Sequence, residues 1–226
     1  MIKTVVFDFV NTIAFKKPYR EDILLEYCSR EGIVSMSRSE VQKTYFELDE
    51  VMPYSSVNIK TKEQKKNFYK RYNEELFRKI KLNHSDRFFD FYHSIEKKWV
   101  LDECVCELFK YLKARDISIG IISNFDDHLE NVLEDLKIKH IFDFVAISAQ
   151  IGLEKPDVEF YKYVRRVYNI DINETIYIGD SYNLDYVPSK SAGFNSFLID
   201  RNNVFPKKNN KLQDLNQIRQ MVSNVT

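Results

Sequence analysis

Four side chains that could share one reaction lie at or just after the ends of apolar runs: Asp8, Ser123, Lys155 and Asp180. They offer a carboxylate nucleophile, a hydroxyl donor, a cation and a second carboxylate. Any one of them alone is more simply a loop residue or a helix cap. Because parallel strands bring their carboxyl ends to one edge of a sheet, we expect the four to meet there.

The two carboxylates limit the chemistry that this set could perform. An anion such as a phosphate could approach Asp8 and Asp180 only if a metal ion and the ammonium of Lys155 offset the repulsion. Phosphoryl transfer depends mainly on positioning and charge stabilisation, and this set could supply both. The residue types therefore fit phosphoryl transfer from an anionic substrate with the help of a divalent cation.

The elements that would position these side chains alternate between strand and helix in the second half of the chain. Short apolar runs predict strands at 2–9, 117–122, 144–148, 174–179 and 195–199. Helical stretches separate them near 126–137, 157–168 and 183–193, and a final amphipathic helix is predicted after Arg201. The alternation predicts an α/β fold, with a Rossmann-like parallel sheet wrapped by helices.

A different pattern occupies the sequence between the first strand and the rest. Apolar periods of about 3.6 residues predict helices near 19–32, 39–51, 62–82, 86–98 and 101–115. The aromatic residues of 87–100 favour helix–helix packing. The economical organisation is a core domain formed by 1–15 and 101–226, interrupted by an all-helical insert at 16–100.

Composition excludes several classes of function. The 226 residues include 34 basic and 34 acidic side chains, so the formal net charge is zero and predicts no general attraction to nucleic acid or anionic lipid. No apolar stretch is long enough to cross a bilayer. The lysines of 60–81 are interleaved with acids, which indicates an exposed helix face rather than a nucleic-acid-binding surface.

The cysteines and the first residues bear on the compartment. Cys28, Cys104 and Cys106 fit buried or half-buried thiols, since the last two are too close together for a zinc knuckle. The chain begins with a strand pattern and without the features of a signal peptide. We therefore expect a cytoplasmic protein that acts on a small molecule. It should be a monomer or a homodimer and should bind neither nucleic acid nor a membrane.

Four short motifs, in this order, resemble those of the haloacid dehalogenase superfamily: VVFDFVNT, IISN, LEKPD and YIGDSYNLD. The separation of the first two leaves room for the helical cap domain that the family inserts there, at 16–100. A single Lys-Pro or Gly-Asp pair would be a weak signal, but the ordered set with its strand context is a strong one. The resemblance implies a hydrolase with a Rossmann-like core and a helical cap.

The resemblance also implies catalytic and substrate-binding roles. Asp8 would be the nucleophile that forms a covalent aspartyl intermediate. Ser123 would hydrogen-bond the transferring group, and Lys155 would neutralise charge on nucleophile and substrate. Thr12 and Asn124 would join Ser123 and Lys155 in binding the substrate.

A Mg²⁺ site is implied at the same place. Asp8, Asp180 and the main-chain carbonyl of Val10 would hold the ion, a hard cation that prefers oxygen ligands. Asp185 would belong to this metal site and, with Thr12, would orient the ligands.

The sequence departs from the phosphatases of this family at Val10. Those members usually carry an Asp two residues after the nucleophile, where it protonates the leaving alcohol and later activates water. Valine can do neither, and general acid–base assistance contributes about 10²–10⁴ in rate. We therefore expect weak or specialised phosphatase activity.

Two alternatives to a Mg²⁺-assisted hydrolase remain open. Family members that cleave carbon–halogen or carbon–phosphorus bonds also lack the second Asp, so a 2-haloacid dehalogenase fits Val10. That reaction needs no metal at Asp180, but it needs a halide-binding arginine. Arg20 and Arg30 lie in the predicted first cap helix, where a solvated helix charge is the simpler interpretation of each. The other alternative is a catalytically impaired, ligand-binding or regulatory member.

Overall fold

The structure is a computed structural model that describes residues 1–33, 36–83, 85–205 and 209–223. The chain divides into a sheet unit, made of Met1–Phe15 and Val100–Thr226, and a helical unit, Lys16–Trp99. It passes between them through two short strands, β2 (Ala14–Lys17) and β3 (Lys98–Leu101), which pair with each other. The helical unit is therefore an insertion in the sequence of the sheet unit.

The first strand of the chain lies in the middle of a six-stranded parallel sheet. The strands are β1 (Thr4–Phe7), β4 (Ser118–Ser123), β5 (Phe144–Ile147), β6 (Thr175–Gly179), β7 (Asn195–Ile199) and β8 (Lys211–Leu212), in the spatial order β5–β4–β1–β6–β7–β8. Val5, Val6 and Phe7 are fully buried, as expected for a strand covered on both faces. The predicted α/β class with a Rossmann-like parallel sheet is confirmed.

Four helices form the helical unit: α1 (Arg20–Arg30), α2 (Arg38–Asp49), α3 (Lys62–Lys79) and α4 (Ser85–Ser94). Capping boxes start α2 and α3, where Ser37 and Thr61 accept hydrogen bonds from backbone amides three residues on. Their apolar faces share one core, in which Tyr27 makes edge contacts with Phe77 and Phe88. The aromatic residues of this unit thus serve helix packing.

The helices of the sheet unit are α5 (Val105–Lys113), α6 (Leu129–Asp135), α7 (Ser148–Ile151), α8 (Val158–Val167), α9 (Val187–Ser191) and α10 (Gln217–Ser223). The amphipathic helix α8 buries Phe160, Tyr161 and Val164 in a cluster that includes strand residues Val6 and Tyr177. Each such buried side chain contributes roughly 1.5–3 kcal/mol. This packing holds α8, which begins three residues after Lys155, against the strands of the sheet.

The structure corrects the sequence prediction where the chain leaves and re-enters the sheet unit. Helices were expected at 86–98 and 101–115, but α4 ends at Ser94 and Lys98–Leu101 is extended. The apolar run of β3 is too short to indicate a strand by itself, and the strand it pairs with, β2, is far away in the sequence. Strand β8 was also not predicted, since it has only two residues. In the part of the chain described, no helix is both long and apolar enough to cross a membrane.

Candidate active site

Asp8 follows β1 directly and is almost completely buried, with 6% exposure. Its backbone amide donates to the carbonyl of Ile178 at 2.8 Å, which continues the pairing of β1 with β6. Its carboxylate Oδ1 accepts a hydrogen bond from Lys155 Nζ at 2.7 Å and a longer one from Ser123 Oγ at 3.4 Å. The structure therefore brings together three of the predicted site residues.

Lys155 is a buried cation between two carboxylates. Its Nζ donates to Asp8 Oδ1 at 2.7 Å and to Asp185 Oδ1 at 2.6 Å. The backbone of Lys155 is held by the Asn124 amide, which donates to the Lys155 carbonyl at 2.9 Å and accepts from the Lys155 amide at 2.8 Å. Asn124, predicted to bind substrate, thus supports the loop that carries the cation.

Asp185 lies on a single π-helical turn, Tyr182–Tyr186, that follows β6. Besides Lys155, its carboxylate accepts hydrogen bonds from the Tyr177 hydroxyl at 2.5 Å and the Ser181 amide at 3.1 Å. Three donors therefore fix a carboxylate that is only 2% exposed. π-Helical turns are uncommon and occur often at functional sites.

A tight turn follows Asp8. The carbonyl of Phe9 accepts from the amides of Ile13 and Ala14, and the Asn11 amide donates to the carbonyl of Ala14. Asn11 has a φ of 58°, which Asn tolerates better than most residues. Within the described ranges of the chain, no hydrogen bond to the carbonyl of Val10 is present. This carbonyl is therefore available as a metal ligand.

Thr12 lies in the same turn and is completely buried. Its hydroxyl has no hydrogen-bond partner among the described residues. An unpaired buried hydroxyl is unfavourable by about 1–3 kcal/mol. Thr12 thus lies in the turn after Asp8, and its side chain makes no hydrogen bond to the other predicted site residues.

Three carboxylates could hold a cation at this site. Ligand oxygens of Asp8, Asp180 and Asp185 all lie within 4.8 Å of one another. Hard oxygen donors of this kind suit Mg²⁺, which usually binds through one or two carboxylates, water and substrate phosphate. The donor set therefore fits the cation that the sequence predicts, although Asp185 is already engaged by Lys155.

The buried charges shift one another's pKa values. Burial raises the pKa of Asp8 to about 6, against the opposing effect of the Lys155 ammonium. Burial alone would lower the pKa of Lys155, but Asp185 and Asp8 outweigh it, so the pKa is raised. Burial beside Asp185 raises the pKa of Tyr177 well above its usual range. Lys155 therefore stays charged, and Tyr177 stays a neutral donor.

Sequence reasoning missed two residues that support the site. Tyr177 lies in the middle of β6, where an aromatic side chain is usually part of the core, and nothing in the sequence indicates that its hydroxyl meets Asp185. Arg201 follows β7 and donates to the carbonyls of Asn11 and Thr12. Its position just beyond a predicted strand end was the one signal that could have drawn attention to it.

Comparison with protein families and sequences gives consistent matches. A family model described as haloacid dehalogenase-like hydrolase matches residues 5–199. The haloacid dehalogenase-like hydrolase domain-containing protein 3 of Mus musculus is 32% identical over 101 residues, which cover 45% of this chain and 40% of that protein. The glyceraldehyde 3-phosphate phosphatase of Methanocaldococcus jannaschii is 25% identical over 200 residues, which cover 85% of this chain and 82% of that protein.

Solved structures share the fold at low sequence identity. The putative HAD-hydrolase YfnB of Bacillus subtilis, determined with magnesium, superposes with a TM-score of 0.65 at 16% identity and covers 98% of this chain and 99% of its own. A dehalogenase determined with an intermediate has a TM-score of 0.63 at 17% identity, with coverage of 97% and 96%. The same architecture therefore occurs both in a protein named as a HAD-hydrolase and in one named as a dehalogenase.

Proposed function

The chain belongs to the haloacid dehalogenase-like hydrolases, and on that premise we propose that it is a Mg²⁺-assisted hydrolase of a small phosphorylated or similarly activated metabolite. The observation that carries this proposal is Asp8, a buried carboxylate in contact with Lys155 at 2.7 Å and close to two further carboxylates. A buried aspartate with a cation beside it is suited to act as a nucleophile. The hydrogen bonds that Lys155 and Ser123 donate to Asp8 support a preorganised site.

In the proposed reaction, a carboxylate oxygen of Asp8 attacks the electrophilic atom of the substrate, such as phosphorus. The leaving group departs with its bonding electron pair, and a covalent aspartyl intermediate remains. Water then attacks that intermediate, releases the product and regenerates Asp8. Lys155 and Ser123 would stabilise negative charge on the transferring group during both steps.

The proposed cation site consists of Asp8, Asp180 and the carbonyl of Val10, with Asp185 orienting the set. A bound Mg²⁺ would supply positive charge opposite the anionic oxygens of the substrate. The unpaired carbonyl of Val10 and the converging carboxylates support this assignment. The buried hydroxyl of Thr12, in the turn after Asp8, would help to orient these ligands.

Val10 sets the expected limit on activity. It offers no proton to a leaving alcohol, so substrates with good leaving groups should react best. The similarity to a glyceraldehyde 3-phosphate phosphatase, over most of both chains, makes phosphorylated three-carbon metabolites reasonable first members of a substrate panel. We propose that the helical unit, Lys16–Trp99, acts as the cap that selects among such substrates.

Dehalogenation is the second candidate, because Val10 is compatible with it. The arginines considered for a halide site are both engaged within the helical unit. Arg20 pairs with Asp49 and lies over the Tyr45 ring, 4.4 Å from its centroid, and Arg30 pairs with Glu26. Three clustered carboxylates would also repel a halide ion. These observations favour the metal-assisted reaction.

The test is an assay of the purified protein with an aryl phosphate, with Mg²⁺ and with a chelator. We expect turnover that requires Mg²⁺ and is lost in Asp8→Asn. Asp116→Asn is a matched control, because it makes the same change at an exposed aspartate whose φ of 55° suits Asn. Equal rates for wild type and Asp8→Asn would rule the proposal out. Halide release from a 2-haloacid without metal would establish the dehalogenase instead.

A catalytically impaired member would give a third result. Mg²⁺ and inorganic phosphate would then raise the melting temperature, as ligands of the folded state do, without hydrolysis of any compound in the panel. Turnover of one panel member that depends on Asp8 would exclude this reading.

A further inference from the structure

Arg201 connects the carboxyl end of β7 to the turn that follows the nucleophile. Its Nη1 donates to the carbonyl of Asn11 at 2.9 Å, and its Nη2 donates to the carbonyl of Thr12 at 2.8 Å. The guanidinium also lies 5.1 Å from the ring centroid of Phe15. Two consecutive carbonyls of the turn thus share one rigid, planar donor group.

The charge of Arg201 is balanced by Asp102. Arg201 Nη2 and Asp102 Oδ2 are 2.8 Å apart, and the two side chains are 23% and 12% exposed. Asp102 also reaches the turn through its backbone, because its amide donates to the carbonyl of Ile13 at 3.0 Å. Its Oδ1 accepts from the Cys104 amide, which fixes the carboxylate. Arg201 and Asp102 therefore hold three consecutive carbonyls of the turn, those of Asn11, Thr12 and Ile13.

The hydrogen bonds of the turn distinguish one carbonyl from the rest. From Phe9 to Ala14, every carbonyl except that of Val10 accepts a hydrogen bond from another described residue. If the carbonyls of Asn11 and Thr12 lost their donors, these two peptide groups would be less restrained, and the turn would keep only its internal hydrogen bonds and the one from Asp102. The position of the Val10 carbonyl depends on these neighbours, because they share the same short turn.

We propose that Arg201 is a positioning residue, which locks the turn after Asp8 so that the carbonyl of Val10 stays available to the cation. It acts without touching substrate or metal. The metal-binding part of this inference rests on the proposed function, whereas the locking of the turn does not. Asp102 is the partner that keeps the guanidinium in place.

The test compares Arg201→Ala and Arg201→Lys with wild type. Arg219→Ala is the matched control, because Arg219 packs on Tyr111, 5.3 Å from the ring centroid, in the same unit and makes no contact with the turn. Hydrogen exchange reports on the turn itself through the amides of Asn11, Ile13 and Ala14. We expect the exchange rate of these amides to rise by about tenfold or more in Arg201→Ala, because the charged hydrogen bonds to the turn are lost. The rise should be smaller in Arg201→Lys, because the lysine ammonium can still donate a charged hydrogen bond.

Calorimetric titration with Mg²⁺ is the second measurement, alongside the KM and kcat of aryl phosphate hydrolysis. We expect the Mg²⁺ dissociation constant to rise by about tenfold in Arg201→Ala, with partial recovery in Arg201→Lys and no change in Arg219→Ala. Because Arg201 positions a metal ligand, kcat at low Mg²⁺ should fall more than KM rises.

The outcomes separate the inference from the proposed function. Faster amide exchange together with weaker Mg²⁺ binding supports the whole inference. Exchange in Arg201→Ala that stays within about twofold of wild type would overturn it. If wild type binds no Mg²⁺, the proposed cation site fails and the positioning role toward Mg²⁺ fails with it, whereas the exchange result still decides whether Arg201 locks the turn.

Discussion

The side chain of Asp185 lies directly against the backbone of Gly179, where β6 ends. A Cβ added at Gly179 would lie 2.6 Å from Asp185 Oδ2 and closer still to its Cγ. Glycine is therefore required here by a close approach, because any larger residue would displace the carboxylate that holds Lys155.

The first prediction is that Gly179→Ala lowers both stability and turnover. The added methyl must push Asp185 away from the Tyr177 hydroxyl and the Lys155 ammonium, and overpacking of this kind is unfavourable by about 1–3 kcal/mol. Urea unfolding and aryl phosphate kinetics measure the two effects. Gly152→Asn serves as the control, since Gly152 has open space around it and a φ of 79° that Asn accepts. A fully active Gly179→Ala protein would show that the position of Asp185 is not critical.

The second prediction concerns the buried ion pairs of Lys155. Lys155→Met leaves Asp8 and Asp185 without their shared cation, and breaking a buried pair by removing one partner is unfavourable by about 3–5 kcal/mol. The loss should be greater at about pH 8 than at about pH 5, because protonation of a carboxylate relieves the uncompensated charge. Chemical unfolding of the metal-free protein at both values provides the measurement. A loss that is the same at both values would contradict the charge-based explanation.

The third prediction follows from the pKa of Asp8, which burial raises to about 6 from an unperturbed 3.8. Because the pKa of Asp8 is higher in the folded state, its protonation stabilises the folded protein. This stabilisation is complete at pH values below the unfolded-state pKa, and it is lost as the pH rises through about 6. The metal-free wild type should therefore lose up to about 3 kcal/mol of unfolding free energy between about pH 4 and about pH 8, relative to Asp8→Asn. Parallel pH profiles of the two proteins would exclude a raised pKa at Asp8.

The fourth prediction is that Mg²⁺ binding depends on the same ionisation of Asp8. The cation competes with a proton for Asp8, so the rise in melting temperature on addition of Mg²⁺ should be large above about pH 6 and should shrink below it. Thermal unfolding with Mg²⁺ and with a chelator, at several pH values, gives this profile. A Mg²⁺ effect that does not change with pH would place the ion elsewhere.

The fifth prediction is a gain of function at Val10. Val10→Asp supplies the proton donor and base that the sequence lacks, and this kind of assistance is worth about 10²–10⁴ in rate. Alkyl phosphates should gain more than aryl phosphates, because their leaving groups need a proton more. Val10→Asn has a similar shape but cannot transfer a proton, so it should gain nothing. Equal gains for Val10→Asn and Val10→Asp would contradict the acid–base account.

The sequence allowed the fold class to be predicted because the strands of the sheet are buried on both faces. A run such as that of β1 is apolar throughout, and its end marks where Asp8 must lie. The convergence of Asp8, Ser123 and Lys155 follows from parallel topology alone. These features could be inferred because they depend on local patterns and on one general rule of α/β sheets.

The parts that could not be predicted depend on contacts between distant residues. The strand character of Lys98–Leu101 comes from pairing with β2, and the role of Tyr177 depends on which way its hydroxyl points. Arg201 meets Asn11 across 190 positions of sequence. A single sequence contains no periodicity or spacing that reports such a contact.

The central place of β1 in the sheet has a consequence for synthesis on the ribosome. Both neighbours of this strand, β4 and β6, begin more than a hundred residues later in the chain, at Ser118 and Thr175. A nascent chain therefore holds β1 without either neighbouring strand until β4 has been made, and without β6 until about fifty residues later. Unpaired apolar strands are prone to aggregation, so we expect the partly synthesised chain to bind a chaperone.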